Sequence, residues 1–146
     1  MSEIANKSYD VQMHDKITLL EKEITASGAI ELPVKNHFSK GVYARELFIP
    51  KGTVLTGEVH KYTNLNIMSQ GELSVLTENG IERIKAPFTI VSPPGTKRVA
   101  YAHEDTIWTT IHGTDEIDVE KIKLEFIAEN FEQYLEFCET LKIEGK

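Results

Sequence analysis

Glu58 and His60 stand two residues apart, a spacing that puts both side chains on one face of a strand. A carboxylate and an imidazole so placed are acceptable ligands for a divalent metal, and equally a usable acid–base pair. Asn64 and Asn66 repeat the spacing. Each carboxamide both donates and accepts, which suits the edge of a base or a sugar. Arg98 offers a planar fork of donors matched to phosphate or carboxylate. Trp108, Thr110 and His112 share one face of a later strand, and Trp108 or Tyr62 can stack on a ring. Two chemistries stay open. Glu58, His60 and His112 are the set that would hold a metal, whereas the amides and Arg98 need none.

These residues must be positioned by strands. From Ile30 onward, short β-branched and aromatic runs alternate with turn residues. The pattern predicts strands near 42–48, 54–59, 65–69, 73–77, 81–85, 89–91, 98–102 and 107–112. Glu78-Asn79-Gly80 reads as a tight hairpin and Gly71 as a turn between two strands. Before the strands, Asp10 caps a helix with Met13, Ile17, Leu20 and Ile24 on one stripe, ending near Gly28. After Gly113 the period turns helical again. Val119, Ile122 and Phe126 form one stripe, and Phe131, Tyr134, Leu135, Cys138 and Leu141 another. Helix, strands, then two helices, without β-α-β alternation, excludes a parallel α/β sheet and predicts a mainly β jelly roll with helical extensions. The expected organisation is one domain over 1–146: an N-terminal helical extension (1–29), a barrel (30–113) and C-terminal helices (114–146).

Two stretches resemble the conserved motifs of the cupin superfamily, small jelly-roll barrels that usually hold a divalent metal. The first runs from Gly52 through Glu58, His60 and Asn64 to Gly71, and the second is Pro93-Pro-Gly95-Thr-Lys-Arg98. Aligned on glycines and prolines, the usual metal ligands fall on Glu58, His60, Asn64 and Arg98, a degenerate metal site. A neutral amide is a weak ligand, and a guanidinium repels a divalent ion. The resemblance implies that His60 points inward. Alternation then brings in Thr56 and Glu58, then Asn64, Asn66 and Met68, then Arg98, Ala100 and Ala102. The segment from Ser92 to Arg98, with Glu104 to His112, is similar to small cupin-like proteins of tailed bacteriophages and prophages. That likeness implies a phage product in the host cytoplasm.

Composition narrows the classes further. The net charge is −7, and ten Asp or Glu against four Lys lie in residues 114–146. An acidic chain without a basic face argues against duplex nucleic acid as partner. No run approaches the ~18 apolar residues of a membrane span, so a cytoplasmic protein is expected. The single Cys138 reads as core packing, and Arg45, alternating with Glu46 on an early strand, reads as one side of a structural salt bridge across the sheet. His14, His37 and His103 lack site context. No nucleophile elbow, phosphate loop, dinucleotide fingerprint or Cys-x-x-Cys pair is present.

The expected function is a non-catalytic or weakly catalytic cupin that binds a small anionic, nucleotide-like molecule in its barrel through Glu58, His60, Asn64, Asn66, Arg98, Trp108 and His112. Phage origin suggests sequestration of a host signal. No cofactor is favoured. The alternatives are a metal-dependent isomerase or dioxygenase, holding a divalent transition metal with Glu58, His60 and His112, and a structural protein with a vestigial cavity. Apolar stripes at both ends predict a homodimer.

Overall fold

The structure, a computed structural model, describes residues 31–77 and 80–143. The helix expected over 10–28 and the hairpin residues Glu78 and Asn79 lie outside them. Ten strands precede the first described helix: β1 (Val34–Ser39), β2 (Val42–Ile49), β3 (Val54–Thr56), β4 (Val59–His60), β5 (Asn64–Gln70), β6 (Glu72–Thr77), β7 (Gly80–Lys85), β8 (Phe88–Ser92), β9 (Val99–Ala102) and β10 (Thr106–Gly113). Then come α1 (Val119–Phe126), β11 (Ile127–Ala128) and α2 (Phe131–Ile143).

The strands form a five-stranded sheet, β1-β2-β10-β5-β8, and a four-stranded sheet, β3-β9-β6-β7, with every pair antiparallel. The chain passes back and forth between them: β5 to β6, β7 to β8 and β9 to β10 each change sheet. That winding is the jelly roll the sequence predicts, and the two C-terminal helices are present. At Gly71, where β5 hands over to β6, φ is +100°, a backbone conformation that glycine adopts without a steric cost.

Two short strands escape the sequence pattern. Strand β1 carries Lys35, Asn36, His37 and Ser39, poor strand formers, and all six of its residues are exposed. It is held by pairing with β2 in register from Val34–Leu47 to Ser39–Val42. Strand β11 is two residues long and pairs with β4, Ile127 opposite His60 and Ala128 opposite Val59. The C-terminal segment thus pins the strand that carries His60. The expected strand over 54–59 is correspondingly two pieces, broken at Gly57 and Glu58, where the Gly57 amide donates to the Arg98 carbonyl at 2.8 Å.

The interior is apolar at one end and polar at the other. The inward face of β2 reads Ile49, Leu47, Arg45, Tyr43, and the residues opposite them on β10 are Thr106, Trp108, Thr110, His112. Strand β5 runs Met68, Asn66, Asn64 in the same direction, and all three are buried. Ile49, Met68, Leu73, Val75 and Ala102 form the buried apolar cluster, with Leu47, Leu55, Ala100 and Trp108 packed against it. Because Leu55 is the β3 residue on the core, Thr56 lies in the opposite phase, contrary to the alternation expected through Glu58 and His60.

Candidate functional site

The polar end is organised around one carboxamide. Asn66 Nδ2 donates to Asn64 Oδ1 at 2.7 Å and to Ser92 Oγ at 3.0 Å, while its Oδ1 accepts from Thr110 Oγ1 at 2.8 Å and Trp108 Nε1 at 3.2 Å. Ser92 Oγ in turn accepts from an Arg98 guanidinium nitrogen at 2.8 Å. Asn64, Asn66, Ser92 and Thr110 are all buried. Both donors and both acceptor positions of Asn66 are used inside the protein, so its part in any site is to fix its neighbours. Trp108 joins this network through its indole nitrogen while its ring packs on the apolar cluster.

Beside the network stands a column of rings. His60 meets His112 at 5.8 Å between centroids, and His112 meets Tyr43 at 6.0 Å and Phe126 of α1 at 4.7 Å. His112 is 7 % exposed, which settles its direction as inward. His60 is half-buried, and its Nδ1 is enclosed without a hydrogen-bond partner among the described residues. Tyr62 is not a stacking platform for this space, because it packs edge-on against Phe126 and Phe137. Lys61 likewise turns away, donating to the Leu124 carbonyl at 2.9 Å.

Burial, then the positive fields of Arg45 and Arg98, push the His60 pKa down from 6.5 to about 4. Burial, followed by His60 and Arg45, takes His112 to about 4 as well, against the opposing field of Glu58. Both imidazoles are therefore neutral at pH 7. An unfolded chain would protonate them near 6.5, so between pH 6.5 and 4 it binds more protons than the folded one. Stability should then fall as pH drops through that window, by at most about 1.4 kcal/mol per pH unit for each histidine. Urea denaturation at pH 7, 5.5 and 4.5 measures the slope. A double His60→Asn, His112→Asn variant should flatten it; an unchanged slope would assign the effect to other groups.

The arrangement departs from the sequence reading at two positions. Glu58 is exposed and lies in the break between β3 and β4, and its field reaches Tyr43 and His112 from the mouth. Among the described residues no three His, Cys, Asp or Glu side chains converge to hold a metal ion, so Glu58, His60 and His112 do not fit one as a set. Arg45 is the second departure. The structural salt bridge across the sheet expected of Arg45 is not among the ion pairs of the described residues; Glu46, on the opposite face, bonds His37 at 3.3 Å, while Arg45 faces the barrel. Tyr43, Arg45, Ser92 and Thr110 are thus interior residues that sequence reasoning missed. Cys138, expected in the core, is half-buried and lines an external cleft of about 270 Å³ between Pro94–Gly95 and α2.

The sequence matches no family model and no curated protein. Several solved structures resemble the chain weakly. KdgF from Halomonas sp. shows 19 % identity over 60 % of this chain and 83 % of its own, with a TM-score of 0.49. A cupin superfamily protein from Desulfitobacterium hafniense shows 13 % identity, 58 % and 79 % coverage, and a TM-score of 0.48. An RmlC-like cupin family protein with a double-stranded β-helix fold from Methanocaldococcus jannaschii shows 13 % identity, 66 % and 89 % coverage, and a TM-score of 0.47.

Proposed function

We propose that the polar end of the barrel binds a small anionic molecule, with a nucleotide-like ligand as the class its amides and rings suit. The observation that supports this is Arg98, half-buried, with a guanidinium nitrogen held by Ser92 in the Asn66 network at the end of the barrel where two imidazoles are neutral. A guanidinium is a planar fork of donors matched to a phosphate or carboxylate. Neutral histidines leave the local charge to the arginines, opposed by Glu58 at the mouth. In the phage setting that the motif resemblance implies, such binding would serve to sequester a host signal.

Native mass spectrometry of protein purified without chelator or metal-affinity steps, with elemental analysis, tests this. A retained small anion is expected, lost in Arg98→Ala; thermal melting of the variant separates lost binding from lost folding. A variant that melts like wild type and keeps the anion would end the Arg98 reading. Near one transition metal per chain would instead favour a metal-dependent enzyme.

A further inference from the structure

Arg45 lies on the inward face of β2 between buried Tyr43 and half-buried Leu47, opposite buried Thr110. No ion pair among the described residues involves it. Arg45 is itself half-buried, and the opposite charge whose field reaches the same Tyr43 and His112 is exposed Glu58; an anion bound on the inward side would offset more of the cost of its partial withdrawal from water. Arg45 stands in the five-stranded sheet, whereas Arg98 stands just before β9 of the other sheet. Thr110, opposite Arg45, bonds Asn66, and Asn66 bonds the Ser92 hydroxyl that holds Arg98, so one hydrogen-bonded chain runs from the strand position facing Arg45 to Arg98.

We infer that Arg45 is a second anion-binding group, and that the interior takes a small molecule with two anionic groups, one at Arg45 and one at Arg98. This deepens the anion-binding reading and rests on it. Glu58 sets the orientation. Its carboxylate repels a third anionic group from the side of Tyr43 and His112, so the uncharged part of the ligand faces that way. The geometry therefore selects for diphosphates or dicarboxylates over monoanions.

The full-length protein is titrated with acetate, inorganic phosphate, pyrophosphate and ADP, by calorimetry and by Trp108 fluorescence. Pyrophosphate and ADP should bind at least about tenfold more tightly than acetate, the range expected for one added charge-assisted contact. Arg45→Met should remove that advantage and leave acetate binding within about twofold, while Arg98→Met weakens every anion. Thermal melting of Arg45→Met alongside wild type separates lost binding from lost folding. Arg45→Lys, which keeps the charge but not the fork, should fall between the two and provides the comparison should the methionine variant misfold. Equal binding of pyrophosphate by wild type and both Arg45 variants would overturn the second group and leave the Arg98 site standing. Failure of wild type to bind any of the four anions would overturn the anion-binding reading itself.

Discussion

Gly71→Ala should leave the barrel largely unfolded or melting at least about 10 °C below wild type, from a cost of about 3 kcal/mol or more. Two effects add at this position. The φ of +100° lies where side chains other than glycine are strained. A methyl there would also meet the Thr106 Oγ1, the Thr106 Cα at 2.6 Å and the Asp105 carbonyl at 2.7 Å. Two of those three atoms are backbone, and Thr106 is fully buried, its hydroxyl bonding the Glu104 carbonyl at 2.9 Å. Nothing nearby is the free end of a flexible side chain, so the strain goes into the sheet-to-sheet crossing itself. Circular dichroism melting checks this. A variant melting within a few degrees of wild type would show that the crossing relaxes.

Asn66→Leu should cost about 3–5 kcal/mol, because a side chain of similar size strips partners from several buried groups at once. The Trp108 indole N–H and the Thr110 hydroxyl lose the acceptor they share. Ser92 keeps Arg98 as a donor, but loses the bond that orients its hydroxyl toward that arginine. The expected result is therefore double: a lower urea midpoint, and loss of anion binding in whatever fraction stays folded. Asn66→Asp makes the comparison sharper, since it keeps the acceptor for Trp108 and Thr110 but gives up both donors and adds a negative charge close to Arg98. If Asn66→Leu loses less than about 1 kcal/mol, the network is not what specifies this end of the core.

What could be read from the chain follows the length of uninterrupted strand. Asn64, Asn66 and Met68 lie inward as alternation predicts, because β5 runs seven residues without a break. Glu58 fails the same rule because Gly57 and Glu58 leave the ladder before β4 begins. Arg45 was obscured for a different reason. Leu47 and Phe48 are both apolar, so the phase of β2 is ambiguous until buried Tyr43 and Ile49 fix it. The α2 stripe from Phe131 to Leu141 is legible as a helix, yet none of the residues in α2 is fully buried, since a periodic stripe reports a helix and not what covers it. The ring column is the least legible part. It joins β2, β4, β10 and α1, and no local spacing encodes a contact among four elements.

The polar makeup of β1 has a meaning apart from the site. Among the described residues this strand closes one side of the five-stranded sheet and pairs with β2 alone, so its other flank carries a row of amides and carbonyls to which an extended chain could add. Lys35, Asn36 and His37 make that row unattractive, by charge and by poor strand propensity, and the residues that hide β1 from pattern reading are thus the ones that discourage other chains from joining it. Rewriting β1 in valine and isoleucine would make it easier to recognise, and would trade a quiet border for a template on which neighbouring molecules could assemble.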